Sequence, residues 1–256
     1  MTADRRVLVY PDEKTLTAAV AARFISTICR VLVDKAEANV VLTGGTVGIA
    51  VLAAINESPA RDTIDWPRVT LWWGDERWVP HGRADRNDTQ ARAALLDHVA
   101  LRPERIHWFG ASDGPDDLDS AADRYARELA AAAATGSTLP QFDISFLGVG
   151  PDGHIASLFP NRDGIRVTDA TVIPVRNCPK PPPERLSLTL PVINTSDRIW
   201  LVVAGADKAS AVGLALADAS TVEVPAAGVH GRQDTVFFVD QAAASSLPEN
   251  LIASEE

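Results

Sequence analysis

The chain has 256 residues, of which 46% are hydrophobic and 23% are charged, and its formal net charge is −10. This length and composition fit one large α/β domain with a sizeable core and are not typical of a disordered chain. The negative charge argues against nucleic acid as the main partner, because phosphate contacts need clustered lysine and arginine.

Strand-like and helical patterns alternate along most of the chain. The strand-like runs are residues 7–10, 39–43, 69–73, 106–109, 142–148, 199–205 and 235–240. The helical patterns span residues 13–34, 46–56, 87–99, 117–134 and 208–217. Asn87 is the predicted N-cap of the third helix, with Gln90 three positions on. Near-continuous apolar strands separated by helices predict an α/β fold with a mainly parallel, doubly wound (Rossmann-like) sheet and helices on both faces.

Residues 171–190 break this alternation. Two strand-like runs, 171–175 and 185–190, are joined by the proline-rich segment 179–183, where prolines favour an extended and stiff connection. We interpret this stretch as a small additional β-containing segment inside a single domain of residues 1–256, since core-forming strands lie on both sides. A linker between two domains is the alternative. Whether the proline-rich segment closes over a substrate stays open.

No segment has the composition of a targeting or metal-binding element. The N-terminus lacks a long apolar stretch and no apolar run approaches the length of a membrane span, so we expect a cytoplasmic protein with no membrane partner. Cys29 and Cys178 match no metal or redox spacing, and no histidine pair has the i, i+4 spacing of a zinc site. We therefore predict no metal.

Polar residues follow several of the predicted strands, and open parallel sheets bind ligands beyond the carboxyl ends of their strands. The first such cluster is Thr43-Gly44-Gly45-Thr46, directly before a helical pattern. Its glycines let backbone N–H groups approach an anion closely, and the helix N-terminus adds partial positive charge. A plain strand-to-helix turn is the alternative.

The second cluster, Gly74-Asp75-Glu76-Arg77, follows a strand that carries two tryptophans. Arg77 is a planar donor suited to an anion or to a developing oxyanion. Asp75 would then orient Arg77, bind sugar hydroxyl groups or handle a proton. The alternative is a solvated cap with a local ion pair.

The third cluster is the loop 148–154, which matches the G-x-G-x-x-G pattern of dinucleotide sites. The match lies in the middle of the chain, and Pro160 stops any following helix early, so we reject a dinucleotide site. A flexible loop that places Asp152 and His154 at a strand end is the better interpretation, because histidine suits general-base chemistry at neutral pH. A structural turn histidine is the alternative.

Two further basic residues fall at element boundaries. Arg185 opens a strand, and Lys208 begins a helical pattern, where a positive charge opposes the helix dipole. An anion shared with the helix terminus would explain Lys208. Such local positive charge is what an acidic chain needs to hold an anionic substrate.

Five segments of the chain form a pattern when taken together: 42–46 (LTGGT), 73–80 (WGDERWVP), 148–160 (GVGPDGHIASLFP), 185–194 (RLSLTLPVIN) and 205–208 (GADK). In this order they resemble the 6-phosphogluconolactonase family, which is related in fold to glucosamine-6-phosphate deaminase. The resemblance covers nearly the whole chain and is most specific in the GDER and DGH…SLFP segments.

The resemblance implies hydrolysis of 6-phosphogluconolactone, a small phosphorylated sugar lactone, to 6-phosphogluconate in the oxidative pentose phosphate pathway without a cofactor. It implies that His154 is the general base for water, with Asp152 and Arg77 close to the reacting ester. It also implies a phosphate site made of Gly44, Gly45, Thr46, Arg185 and Lys208.

One departure from the family pattern concerns the first loop, which has Thr-Gly-Gly-Thr-Val-Gly where the family often has Ser-Gly-Gly-Ser-Thr-Pro. The role of Thr43 is therefore open, as is the choice between Asp75 and Asp152 as the carboxylate that orients His154. We expect a monomer or a weak homo-oligomer.

Two other functions fit the sequence less well. A deaminase or isomerase of the related type would have a glutamate after the histidine region, whereas Ser157-Leu158-Phe159-Pro160 contains no acid. A non-catalytic sugar-phosphate sensor domain would come with a helix-turn-helix module, but the chain begins with a strand and has no basic helix.

Overall fold

The computed structural model describes residues 5–248 and contains two sheets. The strands are β1 (Arg5–Tyr10), β2 (Ala38–Leu42), β3 (Val69–Trp73), β4 (Asp75–Arg77), β5 (Ile144–Leu147), β6 (Val172–Val175), β7 (Arg185–Leu188), β8 (Arg198–Val203) and β9 (Asp234–Asp240). The α-helices are α1 (Glu13–Asp34), α2 (Thr46–Glu57), α3 (Asn87–Ala94), α4 (Leu118–Ala131), α5 (Leu190–Ile193) and α6 (Ala209–Leu216), with short 3₁₀ turns between them.

The larger sheet has the strand order β1-β9-β8-β5-β2-β3, and all of its neighbouring strands are parallel. From β2 the chain runs outward to β3 and then returns to β5, on the other side of β2. The direction of winding therefore reverses between β2 and β5, which is where ligands bind in open α/β sheets. The predicted mainly parallel α/β fold is confirmed.

Helix α1 shows how local sequence produces this packing. Asp12 caps its N-terminus by accepting a hydrogen bond from the Thr15 N–H at 2.7 Å. The apolar residues at helical spacing are all buried in the core: Leu16, Val20, Phe24, Ile28 and Val31. By length and composition alone α1 could span a membrane, contrary to the expectation that no apolar run approaches that length. Its burial explains that composition, because an apolar helix of a large core passes the same test.

The segment 106–109 was wrongly predicted to be a strand. Only Ile106 makes a bridge, to Leu71 of β3. The next carbonyl groups accept hydrogen bonds from side chains: His107 from the Tyr125 hydroxyl, and Phe109 and Gly110 from Arg86. Because these acceptors are already used, the segment does not extend the ladder beyond β3.

The N-terminus of the third helix also differs from the prediction. Asn87 is the first helical residue rather than the N-cap, and the carboxylate of Glu76 accepts hydrogen bonds from the N–H groups of Asn87 and Asp88, both at 2.8 Å. The Glu76 carboxylate, which belongs to another segment, thus satisfies the N–H groups that a capping box would otherwise bind. The helix ends at Ala94, before a separate 3₁₀ turn (Leu96–His98).

The smaller sheet has the order β4-β7-β6 and is antiparallel. It confirms the β-containing segment predicted around 171–190. It also includes β4, a strand that the sequence pattern did not predict within the polar cluster after β3: Asp75 pairs with Ser187 and Arg77 with Arg185. This pairing brings two of the predicted polar clusters side by side.

Candidate active site

A cavity of about 340 Å³ lies at the carboxyl ends of β2, β3, β5 and β8. Eight of the nine predicted site residues line it: Gly44, Gly45, Thr46, Asp75, Arg77, His154, Arg185 and Lys208. The ninth, Asp152, contacts His154. The fold therefore brings the predicted clusters together at the switch point of the sheet.

His154 and Asp152 form a close pair in the loop after β5. The His154 Nδ1 lies 2.5 Å from the Asp152 Oδ1. A carboxylate at Nδ1 holds the proton on that nitrogen and leaves Nε2 as the basic one. Gly150 is required here, because a Cβ at this position would lie 2.0 Å from His154 Nδ1. No helix follows the loop, consistent with our rejection of a dinucleotide site.

The ionisation of Asp152 reflects opposing effects. Burial disfavours its charged form, but the hydrogen bond and charge of His154, together with the charge of Lys180, outweigh burial and lower the pKa of Asp152 to about 2. Lys180 Nζ lies 3.8 Å from the same carboxylate oxygen. Asp152 is therefore an anion at neutral pH and can stabilise a protonated imidazole beside it.

Asp75 makes different contacts. Its Oδ2 accepts a hydrogen bond from Ser157 Oγ at 2.7 Å, and its Oδ1 accepts one from Asn87 Nδ2 at 3.3 Å. Of the two carboxylates that the sequence left open, Asp152 is the one hydrogen-bonded to His154. Asp75 faces the cavity in a fixed orientation, where it can accept hydrogen bonds from ligand hydroxyl groups.

Glu76 and Arg77 point in opposite directions, as neighbours in a strand do. Glu76 is almost fully buried beside Arg86. Its pKa is raised to about 7, mainly because burial disfavours the charged carboxylate and also because Asp88 carries a like charge, while the positive charge of Arg86 lowers the pKa in part. Arg77 lines the cavity, with its Nη1 donating to the Asp85 carbonyl oxygen. The local ion pair considered for this cluster does not form between these two residues.

The loop after β2 presents backbone N–H groups to the cavity. Gly45 is the N-cap of α2 with φ of +82°, and no side chain caps the helix. The first N–H groups of α2 are thus without a side-chain acceptor and can bind an anion. Thr43 also lines the cavity, and its methyl group packs toward Gly48.

We expect Gly44→Ala to weaken substrate binding strongly. A Cβ on Gly44 would lie 1.8 Å from Asn87 Oδ1, so the loop or the asparagine must move. We expect KM to rise on the order of tenfold or more, since a displaced loop loses its anion contacts. Steady-state kinetics check this, with Gly213→Ala as the control, because a Cβ on Gly213, in α6 and outside the cavity, makes only ordinary contacts at 3.7 Å. An unchanged KM would contradict the close packing at Gly44.

Two further cavity cations come from the start of β7 and from the turn after β8. Arg185 donates to the carbonyl oxygens of Lys180, Pro181 and Pro182 at 3.2–3.3 Å and lies over the Phe159 ring. Lys208 is ion-paired with Asp207. The positive charge predicted for an acidic chain is therefore present at the cavity.

Sequence reasoning missed several cavity residues. Lys180 was read only as part of a stiff proline-rich connection, and Asn87 only as a cap. Asn87 Nδ2 donates to the backbone and side-chain oxygens of Asp75, so its Oδ1 must face Gly44. A lysine between prolines was the only signal for Lys180, and nothing local indicated Asn87. Glu13 also lines the cavity.

The chain is similar to known proteins over most of its length. Residues 11–238 match the family model described as glucosamine-6-phosphate isomerases/6-phosphogluconolactonase. A 6-phosphogluconolactonase of Streptomyces coelicolor is 50% identical over 96% of both chains. One of Mycobacterium tuberculosis is 45% identical over 94% of this chain and 97% of its own.

Solved structures give the same result. The crystal structure of a 6-phosphogluconolactonase from Thermotoga maritima is 26% identical, has a TM-score of 0.81, and covers 93% of this chain and 100% of its own. The sequence match spans most of the chain and includes every residue of the candidate site. The chain therefore belongs to the glucosamine-6-phosphate isomerase/6-phosphogluconolactonase family.

Proposed function

We propose that the chain hydrolyses 6-phosphoglucono-1,5-lactone to 6-phosphogluconate, the reaction of the oxidative pentose phosphate pathway. The observation that carries this proposal is the Asp152–His154 pair beside a cavity that also holds a helix N-terminus and several cations. The names of the relatives at 45–50% identity support the same reaction.

In the proposed mechanism His154 Nε2 takes a proton from water while the water oxygen attacks the lactone carbonyl carbon. The electron pair of the C=O bond moves onto the carbonyl oxygen, which Arg77 or loop N–H groups stabilise, an effect worth roughly 3–4 kcal/mol per donor. The tetrahedral intermediate collapses when the bond between this carbon and the ring oxygen breaks. His154 returns its proton to the ring oxygen, so no cofactor or metal takes part.

The phosphate end of the substrate is assigned to Gly44, Gly45, Thr46, Arg185 and Lys208. Contacts at this end orient the ring, so binding energy far from the ester contributes to placing the carbonyl at His154. Asp75 has the position and the orientation to accept a hydrogen bond from a ring hydroxyl group.

We expect Lys208→Ala to raise KM roughly tenfold or more with little change in kcat, because it removes a charge that holds the phosphate in both ground state and transition state. Arg198→Ala is the control, because Arg198 is a partly buried residue at the start of β8 that does not line the cavity and whose guanidinium donates to Gln233. An unchanged KM in Lys208→Ala would remove this residue from the phosphate site.

A deaminase or isomerase acting on an amino sugar phosphate is the second candidate, because the family model includes both activities. The segment Ser157–Pro160 carries no acid to move a proton at the sugar C2 carbon. The Ser157 hydroxyl is instead bonded to Asp75. These observations favour the lactonase.

We also infer that residues 1–256 form one domain, as a monomer or weak homo-oligomer in the cytoplasm, with no nucleic acid or membrane partner. A single cluster of buried apolar residues supports one domain, because it joins strands of both sheets, including Leu186 and Leu188 of β7 and Val40 and Val41 of β2.

The test is a hydrolysis assay with freshly made lactone, corrected for spontaneous ring opening. We expect the wild-type protein to accelerate the reaction. Ammonia release from glucosamine 6-phosphate, measured in parallel, should stay at background. Deaminase activity without lactone hydrolysis would reverse the assignment.

A further inference from the structure

The four cations of the cavity differ in what their donor groups contact. Arg77, Arg185 and Lys208 each bond to a carbonyl or carboxylate group. Lys180 makes no side-chain hydrogen bond to any of residues 5–248, and its ammonium group lies 3.8 Å from Asp152 Oδ1. That distance is too long for a hydrogen bond, so the ammonium donors stay available to a ligand.

Lys180 lies beside the reacting end of the site. The carboxylate oxygen that it approaches is the one that contacts His154 Nδ1 at 2.5 Å. Arg77, the cation considered for the oxyanion in the sequence analysis, is held by the Asp85 carbonyl oxygen. Among the described cavity cations, Lys180 is therefore the one paired with the carboxylate that orients the general base.

The backbone of Lys180 is held while its side chain is free to move. The Lys180 carbonyl oxygen accepts a hydrogen bond from Arg185 at 3.2 Å, which fixes the loop against β7. The Lys180 side chain is 44% exposed. Moving its ammonium group a short way into the cavity breaks no hydrogen bond, and an exposed ion pair with Asp152 is weak.

We propose that Lys180 is a further catalytic residue, which stabilises the oxyanion of the tetrahedral intermediate together with the Arg77 or loop N–H donors named above. This inference rests on the lactonase function proposed above. When the lactone binds, the ammonium group moves from Asp152 to the carbonyl oxygen and neutralises the charge that develops there. Lys180 donates a hydrogen bond but keeps its protons, because His154 accepts the proton of water and returns it to the ring oxygen.

The charge of Lys180 also acts on Asp207, the partner of Lys208 at the predicted phosphate site. The experiment must therefore distinguish stabilisation of the oxyanion from binding of the phosphate group. Lys180→Met keeps an unbranched side chain and removes the charge. We expect kcat to fall roughly 10- to 100-fold, with KM and competitive inhibition by inorganic phosphate nearly unchanged. Lys180→Arg should recover most of the lost kcat, and Lys180→Gln should behave like Lys180→Met.

Arg176→Met is the matched control. Arg176 lies in the same loop and pairs with Asp119 on α4, and it does not line the cavity. We expect wild-type kinetics for this variant.

Three outcomes decide the inference. A raised KM and weaker phosphate inhibition with an unchanged kcat would make Lys180 a phosphate ligand and overturn it. Wild-type kinetics in both neutral variants would also overturn it. A wild-type protein that does not accelerate lactone hydrolysis would instead disprove the proposed function itself, before any variant is compared.

Discussion

Replacing His154 by alanine is expected to lower kcat for lactone hydrolysis by roughly 10²–10⁴-fold while KM changes little. The imidazole lines the cavity, and the contact between its Nδ1 and Asp152 leaves Nε2 free to take a proton from water. Substrate affinity should persist, because the predicted phosphate contacts lie on other loops. Steady-state kinetics on fresh lactone measure both constants.

His81→Ala is a matched control for this experiment. His81 is also a histidine paired with an aspartate, with its Nδ1 2.7 Å from Asp113 Oδ1, but it does not line the catalytic cavity. We expect this variant to keep full activity. Full activity in His154→Ala would disprove the general-base role, and an equal loss in both variants would point to a general effect of removing a histidine.

Replacing Arg86 by methionine is expected to lower the free energy of unfolding by about 3–5 kcal/mol. Arg86 is fully buried, and its guanidinium donates to Asp88 at 2.6–2.9 Å and to the carbonyl oxygens of Val79, Phe109 and Gly110. Methionine keeps much of the volume but removes the guanidinium donors, so Asp88 keeps only the Thr89 hydroxyl as a side-chain donor and the Phe109 and Gly110 carbonyl groups lose their side-chain partner. Buried groups that lose a partner cost far more than the pair contributes when intact.

Denaturant titration measures this loss, and the melting temperature should fall on the order of 10 °C for a chain of this size. Arg92→Met is the control, because Arg92 forms an exposed pair with Asp97 at 3.1 Å. Such surface pairs contribute about 0–1 kcal/mol. A change below 1 kcal/mol in Arg86→Met would show that the buried network adds nothing to stability.

The candidate site was largely accessible to sequence reasoning because its residues occur in short local motifs. Glycines followed by a helical pattern, and a histidine two residues after an aspartate, each indicate chemistry without knowledge of the fold. The parallel sheet then explains why the motifs meet, since each follows the carboxyl end of a strand. Lys180 and Asn87 were not predicted as site residues, because neither belongs to a recognisable motif. Lys180 lies in a proline-rich segment and Asn87 in a helix.

Local sequence predicts most of the strands and helices and their order, because burial imposes a periodicity along the chain, as in the 22-residue helix α1. The remaining features depend on contacts between segments that are far apart in sequence. Residues Asp75–Arg77 pair with β7, which is distant in sequence. Carbonyl groups of segment 106–109, where a strand was expected, accept hydrogen bonds from Tyr125 and Arg86. Asp152, rather than Asp75, contacts His154. Each depends on which groups meet in space, and local periodicity carries no information about that.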